Sequence, residues 1–220
     1  MSGLMTLHWS PRSPFVRKVM VCAYECGLVD RLEKVRSVTH MLEPNPRLMQ
    51  LNPWNKIPTM VTDQGQVLFD SDVICEYLDS LHGGTPLHPV EPDLRWQALR
   101  WRAFGSEMLD VLILWRNERG RPPAQQLSQL LEVFGAKMNA GLAMLEKEAS
   151  VISGAPFNIG HVALGCALGY VDFRFPDLNW RAGHPQLSAW QAEFERRPSA
   201  RHTRPDDDLP PRDATGRSEG

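Results

Sequence analysis

The sequence predicts two domains, a small α/β domain over residues 1–83 and an all-helical domain over residues 93–204. The first alternates short apolar runs with amphipathic stripes of helical period, which is typical of a mixed sheet with helices packed against it. The second has long stripes of helical period and no strand-like alternation. A linker at 84–92, rich in Gly and Pro, separates the two compositions.

The elements of the first domain follow the order βαβ and then ββα. An apolar run predicts the first strand, and a stripe at Val16, Val19 and Met20 predicts the helix that follows it. Gly65 marks the turn of a hairpin. The predicted elements are a strand at 4–9, a helix at 14–27, a strand at 32–38, a turn of helix at 47–51, strands at 58–62 and 67–69, and a helix from residue 71.

Four helices are predicted in the second domain. Pro122 and Pro123 separate the first two of them. The third is apolar on all sides and is therefore expected at the centre of a helical bundle. The tail at 205–220 is charged, has no apolar face to bury, and is predicted to be mobile. The predicted helices run over 93–119, 124–149, 158–173 and 187–196.

Composition and charge argue against several classes of function. The chain of 220 residues has a formal net charge of −2, which favours neither nucleic acid nor an anionic membrane surface as a partner. No apolar run approaches the ~20 residues that span a bilayer, and no basic, apolar leader begins the chain, so a cytoplasmic protein is expected. The cysteines form no CxxC pair and the histidines no HxxxH cluster. We therefore expect no metal, and interpret the thiols as buried structural groups rather than redox centres.

Ser13 and Pro14 begin the first predicted helix as its N-cap and first residue. A hydroxyl there lies beside unpaired backbone N–H groups and the positive end of the helix dipole, where an anion is favoured. Capping uses the hydroxyl oxygen and leaves its proton free to donate. Ser13 is therefore a candidate to hold a thiolate, carboxylate or phosphate, although a Ser-Pro pair at a helix start is also an ordinary cap.

A second candidate segment surrounds Pro58, which begins a predicted strand where its missing N–H is tolerated. The usual X-Pro bond is trans. A cis bond at Ile57–Pro58 would instead turn the backbone N–H and C=O of Ile57 outward, where they can pair with an extended peptide. Lys56 is then placed to hold a carboxylate, although a surface lysine needs no such role.

The third segment is Asp70 and Ser71, at the start of the last helix of the first domain. Ser71 is expected to cap this helix, and its N–H and hydroxyl suit a second carboxylate. Asp70 is able to meet an ammonium group. All three segments fall at the same end of the predicted sheet, and a ligand that fits them is an extended peptide with two carboxylates, an ammonium and a thiol. Glutathione has this composition.

These motifs resemble those of cytosolic glutathione S-transferases of the serine-type bacterial group. The resemblance covers residues 4–204 and rests on Ser-Pro-Phe-x-Arg-Lys-Val, Asn-Pro-x-x-Lys-Ile-Pro, Asp-Ser before a helix, and the all-helical second domain. It implies a thioredoxin-like first domain, with Pro58 as the family's cis-proline, and a homodimer. It also implies that glutathione is the co-substrate and is bound by Lys56, Ile57, Pro58, Asp70 and Ser71.

The resemblance further implies that Ser13 donates a hydrogen bond to the glutathione sulfur, with Ser10 as the alternative donor. The expected reaction is attack of the thiolate on a small apolar electrophile, as in detoxification. A glutathione-dependent isomerase or dehalogenase, and a glutathione-binding protein without turnover, remain alternatives. Candidate walls for the second substrate, which helical spacing also allows as core residues, are Trp9, Phe15, Phe104, Met108, Leu112 and Trp115.

One segment departs from the family's pattern. The central helix of the second domain usually begins with Ser or Thr followed three residues later by Asp, a capping box, whereas this chain has Asn158 and His161. Asn158 is a good N-cap. We expect His161 to be unable to return the second bond of the box, which predicts a weaker helix start.

Overall fold

A mixed four-stranded sheet forms the base of the first domain, as predicted. The computed structural model describes residues 3–208. The strands are β1 (Met5–Trp9), β2 (Leu32–Arg36), β3 (Thr59–Val61) and β4 (Val67–Leu68), in the spatial order β2–β1–β3–β4. β1 pairs in parallel with β2, whereas β3 is antiparallel to both β1 and β4. Each predicted strand is slightly longer than the observed one, because the apolar run in the sequence extends past the residues that pair in the sheet.

Eight α-helices accompany the sheet in the part of the chain that the structure describes. Three belong to the first domain, and five follow the linker, so the helical second domain is also as predicted. They are α1 (Pro14–Glu25), α2 (Pro46–Met49), α3 (Ser71–Asp79), α4 (Pro92–Arg119), α5 (Ser128–Gly154), α6 (Ile159–Arg174), α7 (Pro185–Arg196) and α8 (Pro198–His202).

Local chemistry explains where the helix ends differ from the prediction. α1 ends two residues early because Gly27 adopts a left-handed conformation, φ 67°, and Leu28 N–H donates to Ala23 C=O at 2.8 Å, which closes a Schellman turn. α5 starts later than predicted because a 3₁₀ turn occupies Pro123–Gln125. The short α8 was not predicted from the sequence.

Helix α6 lies at the centre of the second domain and is buried over 159–171. α4 packs directly against it. A Cβ placed on Gly105 of α4 would lie 2.6 Å from the backbone carbon of Ala163, and one on Gly160 of α6 would lie 2.6 Å from Trp101 Cβ. Glycine therefore permits backbone contact between the helices, and this contact fixes α4, whose Arg102 and Ser106 contact the first domain.

The start of α6 corrects the sequence interpretation of His161. Asn158 Oδ1 accepts from Gly160 N–H at 2.9 Å, and His161 Nδ1 accepts from the Asn158 N–H at 3.2 Å. His161 Nε2 donates to Ile152 C=O at 2.9 Å. The expectation that His161 cannot return the second bond is wrong, because a neutral imidazole offers the acceptor lone pair that the carboxylate provides elsewhere. Burial lowers the pKa of His161, which keeps it in this neutral form.

The contact between α4 and α6 predicts that Gly105→Ala destabilises the protein although alanine favours helices. The added methyl meets backbone atoms of Ala163 that cannot move aside. We expect the free energy of unfolding to fall by roughly 1–3 kcal/mol, measured by denaturant unfolding. Gly135→Ala in α5 is the matched control, since its nearest new contact is 3.9 Å away, and it is expected to be neutral or stabilising by up to ~1 kcal/mol. Equal effects would contradict this account of the interface.

The buried neutral His161 predicts a stability that rises with pH. Its folded pKa lies below the ordinary value, so below about pH 6.5 the unfolded chain takes up a proton that the folded chain resists. The free energy of unfolding should therefore fall on going from about pH 7.5 to about pH 5.5. His161→Gln keeps an acceptor at this position but does not titrate, and its stability should fall less over the same interval. Parallel curves for the two proteins would exclude this role for His161.

Candidate functional site

Strand topology brings the three predicted segments to one end of the sheet. β1 and β4 run toward this end, and β3 starts from it, because β3 is antiparallel to both. His8 near the end of β1 pairs with Thr59 at the start of β3. The turn before α1, the segment before β3 and the start of α3 therefore lie side by side.

Ser13 caps α1 and accepts a hydrogen bond from Val16 N–H at 3.3 Å. The side chain is half-buried, and its hydroxyl proton is not used in this bond. Ser10 differs, since it is only 5% exposed and its hydroxyl accepts from Arg12 N–H at 3.3 Å. Ser13 is therefore the more accessible of the two hydroxyls in this turn.

Two buried residues that the sequence interpretation missed shape the loop before β3. Asn52 Nδ2 donates to Lys56 C=O at 3.2 Å and to Thr59 Oγ1 at 3.0 Å, and the Thr59 hydroxyl also donates to Lys56 C=O at 2.8 Å. Asn55 takes a left-handed conformation, φ 53°, inside this loop. The carbonyl of Lys56 is thereby held inward. An Asn six residues before Pro58 was the available sequence signal.

The Ile57–Pro58 peptide bond is cis, as the resemblance implies. Within residues 3–208 neither the N–H nor the C=O of Ile57 has a hydrogen-bond partner. The Lys56 side chain is exposed beside them. Asp110 of α4 faces this loop: burial raises the pKa of its carboxyl, and the charges of Lys56 and Lys18 partly oppose the rise. A peptide backbone and a carboxylate therefore meet unpaired partners here.

The start of α3 differs by one residue from the expectation. Asp70, not Ser71, is the N-cap, and its Oδ1 accepts from Asp72 N–H at 3.0 Å. Ser71 is the first helical residue and is 2% exposed. Asp70 is exposed, so its carboxylate is open to an ammonium group.

Lys18 is a further residue that the sequence interpretation missed. It is completely buried, and its ammonium nitrogen lies 2.6 Å from Asp72 Oδ1, 2.8 Å from Ser106 Oγ and 3.3 Å from Ser71 Oγ. A lysine between Arg17 and Val19 in an amphipathic helix carries no sequence sign of burial. The position follows only from the packing of α1 against α3 and α4.

The structure separates the predicted walls of a second-substrate pocket. Phe104 and Met108 line a cavity of about 320 Å³ between α4 and α5. The other residues that line it are Glu107, Val111, Lys137, Met138 and Gly141. Helical periodicity in the sequence could have indicated them, because they follow one another at helical spacing on α4 and α5. Residues of the first domain do not line this cavity.

The remaining predicted wall residues lie elsewhere. Phe15, on the first turn of α1, packs against the core of the second domain and so lies at the junction of the domains. Trp9 packs against the core of the first domain, with Lys34 Nζ 5.5 Å from its ring centre. Leu112 and Trp115 are buried within the second core. Of these four, Phe15 has the position closest to what a wall beside Ser13 requires.

The acidic segment 206–208 lies against the same end of the sheet. Asp207 pairs with Arg174 at 2.8 Å and with Arg12 at 2.6 Å, and Asp208 pairs with Arg36 at 2.6 Å. Hydrogen bonding to Arg174 lowers the pKa of the Asp207 carboxyl. These ion pairs join the start of the predicted mobile tail to the turn before Ser13. The rest of that tail, 209–220, lies outside the described residues.

One group of potential metal ligands occurs within residues 3–208. Ligand atoms of Cys26, Asp79 and His82 lie within 4.8 Å of one another. His82 Nδ1 accepts from Gly84 N–H at 3.0 Å, which places its proton on Nε2, and Nε2 donates to Asp79 Oδ1 at 3.0 Å. Both nitrogens of His82 are thus engaged, and this arrangement fits an anchor for the linker better than a metal site.

Comparison with known proteins places the chain in a family. The model for the N-terminal domain of glutathione S-transferases matches residues 12–81, and the model for their C-terminal domain matches residues 126–192. The two matches together cover more than half of the chain. The chain belongs to the glutathione S-transferase family, which confirms the resemblance found in the sequence.

Particular relatives extend this assignment. The crystal structure of a glutathione transferase family member from Pseudomonas fluorescens Pf-5, with bound glutathione, is 43% identical with a TM-score of 0.89, covering 92% of this chain and 99% of that chain. The uncharacterized GST-like protein YibF of Escherichia coli K12 is 28% identical over 91% of this chain and 98% of its own length. Glutathione S-transferase stcT of Emericella nidulans is 31% identical over 74% of each. Among the described residues, no helix is both long and apolar enough to cross a membrane.

Proposed function

We propose that this protein is a glutathione transferase in which the Ser13 hydroxyl stabilises the thiolate of bound glutathione. The observation that carries the proposal is the row of open groups at one end of the sheet: the proton of Ser13, the backbone of Ile57 and the start of α3. The relative from Pseudomonas fluorescens, crystallised with glutathione, supports the choice of ligand.

The size of this row suits an extended tripeptide. β1, β3 and β4 are adjacent, and two strand spacings amount to roughly 10 Å. Three extended residues also span roughly 10 Å. In this arrangement the cysteinyl backbone pairs with Ile57, and the γ-glutamyl carboxylate and ammonium meet Ser71 and Asp70. Lys56 is placed to hold the glycyl carboxylate.

Control of the thiol pKa is the proposed catalytic step. A free thiol has a pKa of about 8.5, so only a few per cent is thiolate at neutral pH. A hydrogen bond from Ser13 and the N-terminus of α1 favour the charged form and lower that pKa. The thiolate then forms a C–S bond with an electrophilic carbon, and the leaving group departs with the electron pair of the broken bond.

The second substrate is proposed to bind at the junction of the domains. Phe15 lies on the first turn of α1 next to Ser13 and faces the second domain. Phe104 and Met108 line the separate cavity between α4 and α5 and are not assigned to this junction. Product analysis decides between reaction types: a stable conjugate indicates transfer, whereas regenerated glutathione indicates isomerisation. Binding without turnover would indicate a non-catalytic member.

We further propose that the protein is a cytoplasmic homodimer. Apolar side chains are exposed on α3 and at the start of α4, where Val73 is 47% and Trp96 is 70% exposed, and the Glu76–Arg95 ion pair at 3.4 Å joins these two segments. Clustered exposed apolar residues are typical of a protein interface. Light scattering after size-exclusion chromatography measures the mass, and a concentration-independent monomer would contradict the proposal.

The role of Ser13 predicts a change in the pKa of the bound thiol. Thiolate absorbance of the glutathione complex, followed across pH, should give a pKa below that of free glutathione in the wild type. Ser13→Ala should raise this pKa by about 1–2 units, since a hydrogen bond to a charged group contributes about 1.5–3 kcal/mol, while calorimetry still detects binding.

Ser10→Ala is the matched control, because it removes a hydroxyl from the same turn and should leave the thiol pKa unchanged. The reverse pattern would make Ser10 the donor. If the wild-type protein fails to bind glutathione at millimolar concentration, the proposed function is wrong.

A further inference from the structure

The ammonium group of Lys18 is saturated by one residue of α4 and two of α3. Its three N–H donors match the three oxygen acceptors around it: Asp72 Oδ1, Ser106 Oγ and Ser71 Oγ. The Ser106 hydroxyl in turn donates to Asp72 Oδ2 at 3.3 Å. Every proton of this cluster is thereby directed to a partner inside it, apart from that of Ser71.

This arrangement orients the Ser71 hydroxyl. Its oxygen accepts from Lys18, which leaves its proton and one lone pair, and toward an anion only the proton can form a hydrogen bond. Ser71 is also the first residue of α3, where the helix N-terminus favours an anion. A hydroxyl polarised by an ammonium group at a helix start is a donor suited to a carboxylate.

Charge at this point also requires a cation. Asp70 and Asp72 lie at the start of α3, and Asp110 faces the same region from α4. Three carboxylates would oppose the approach of a ligand carboxylate. Lys18 supplies a buried positive charge next to Ser71. Two further cations act on these carboxylates: Arg102, 3.8 Å from Asp72 Oδ2, and Lys56, whose charge acts on Asp110.

We propose that Lys18 is a positioning residue for the γ-glutamyl carboxylate of glutathione, acting through the Ser71 hydroxyl. The inference rests on the proposed function and adds to it a residue of α1, five positions after Ser13. Two parts of the bound tripeptide then depend on the same helix, the central thiol through the N-cap Ser13 and the γ-glutamyl group through Lys18.

A purely structural role makes a different prediction. A buried ion pair replaced by neutral groups of similar volume often leaves stability unchanged. The double variant Lys18→Met with Asp72→Asn removes both charges of the Lys18–Asp72 pair, and Arg102, the other cation near Asp72, is partly exposed to water, so the variant is expected to fold. Lys18→Arg retains the charge. Lys34→Met is the matched control, because it removes an exposed lysine from the same domain.

The test compares two ligands by calorimetry: S-methylglutathione and its analogue in which the γ-glutamyl α-carboxylate is a carboxamide. The wild type and Lys34→Met should prefer the carboxylate. The double variant should bind S-methylglutathione about 10- to 100-fold more weakly and the carboxamide with little change, so that the preference collapses. Lys18→Arg should recover part of it. In activity assays KM for glutathione should rise, with kcat at saturating glutathione changed less than about threefold.

The outcomes separate this inference from the proposed function. Equal losses for the two ligands, or unchanged affinity for S-methylglutathione in the double variant, would overturn the role of Lys18 while leaving the transferase proposal intact. Failure of the wild type to bind either ligand would overturn both. If the double variant does not fold, Ser71→Ala is measured instead, and retention of the full carboxylate preference would equally overturn the inference.

Discussion

Helix α1 carries two adjacent cations into the interior, and the arrangement of the two domains depends on how they are paired. Arg17 extends toward the second domain, where its Nη2 lies 2.9 Å from Glu195 Oε1 of α7 and 3.3 Å from Ala200 C=O. Lys18 extends toward α3 and α4. Breaking a buried pair by removing one partner leaves an uncompensated charge, which is strongly destabilising. The position of Ser13, at the start of this helix, is thus fixed by partners from both domains.

Three helices illustrate how the same capping chemistry serves stability or a site. At α6 both bonds of the capping box are made internally by Asn158 and His161, and the helix start is buried. At α1 and α3 the caps are Ser13 and Asp70. Beyond the capping bond, Ser13 keeps its hydroxyl proton and Asp70 keeps its second carboxylate oxygen for a further hydrogen bond. A closed cap belongs to the core, whereas an open cap is available to a ligand. The distinction depends on burial, which a cap motif alone does not specify.

Local patterns in the sequence were sufficient to predict the order of strands and helices and the cap at Ser13, because both depend on nearby residues. The grouping of the three segments at one end of the sheet could also be predicted, because it depends on strand direction. Burial of Lys18 depends on Ser106 of α4, which lies 88 residues further along the chain, and Asp110 belongs to the same helix. The inward carbonyl of Lys56 depends on Asn52 and Thr59. Trp9, Leu112 and Trp115 show the limit of helical or strand spacing, since it identifies an apolar face without specifying which neighbour covers it.

The ion pairs of segment 206–208 have a practical consequence for work with this protein. Asp208 pairs with Arg36 at the end of the sheet that holds Ser13, and residues 209–220 continue from there. Gly3, by contrast, donates to Asp63 in the hairpin turn at the opposite end. A deletion that ends the chain before Asp207 would therefore remove three ion pairs from the end of the sheet that holds Ser13. Loss of the Gly3 contact would instead affect the far side of the sheet.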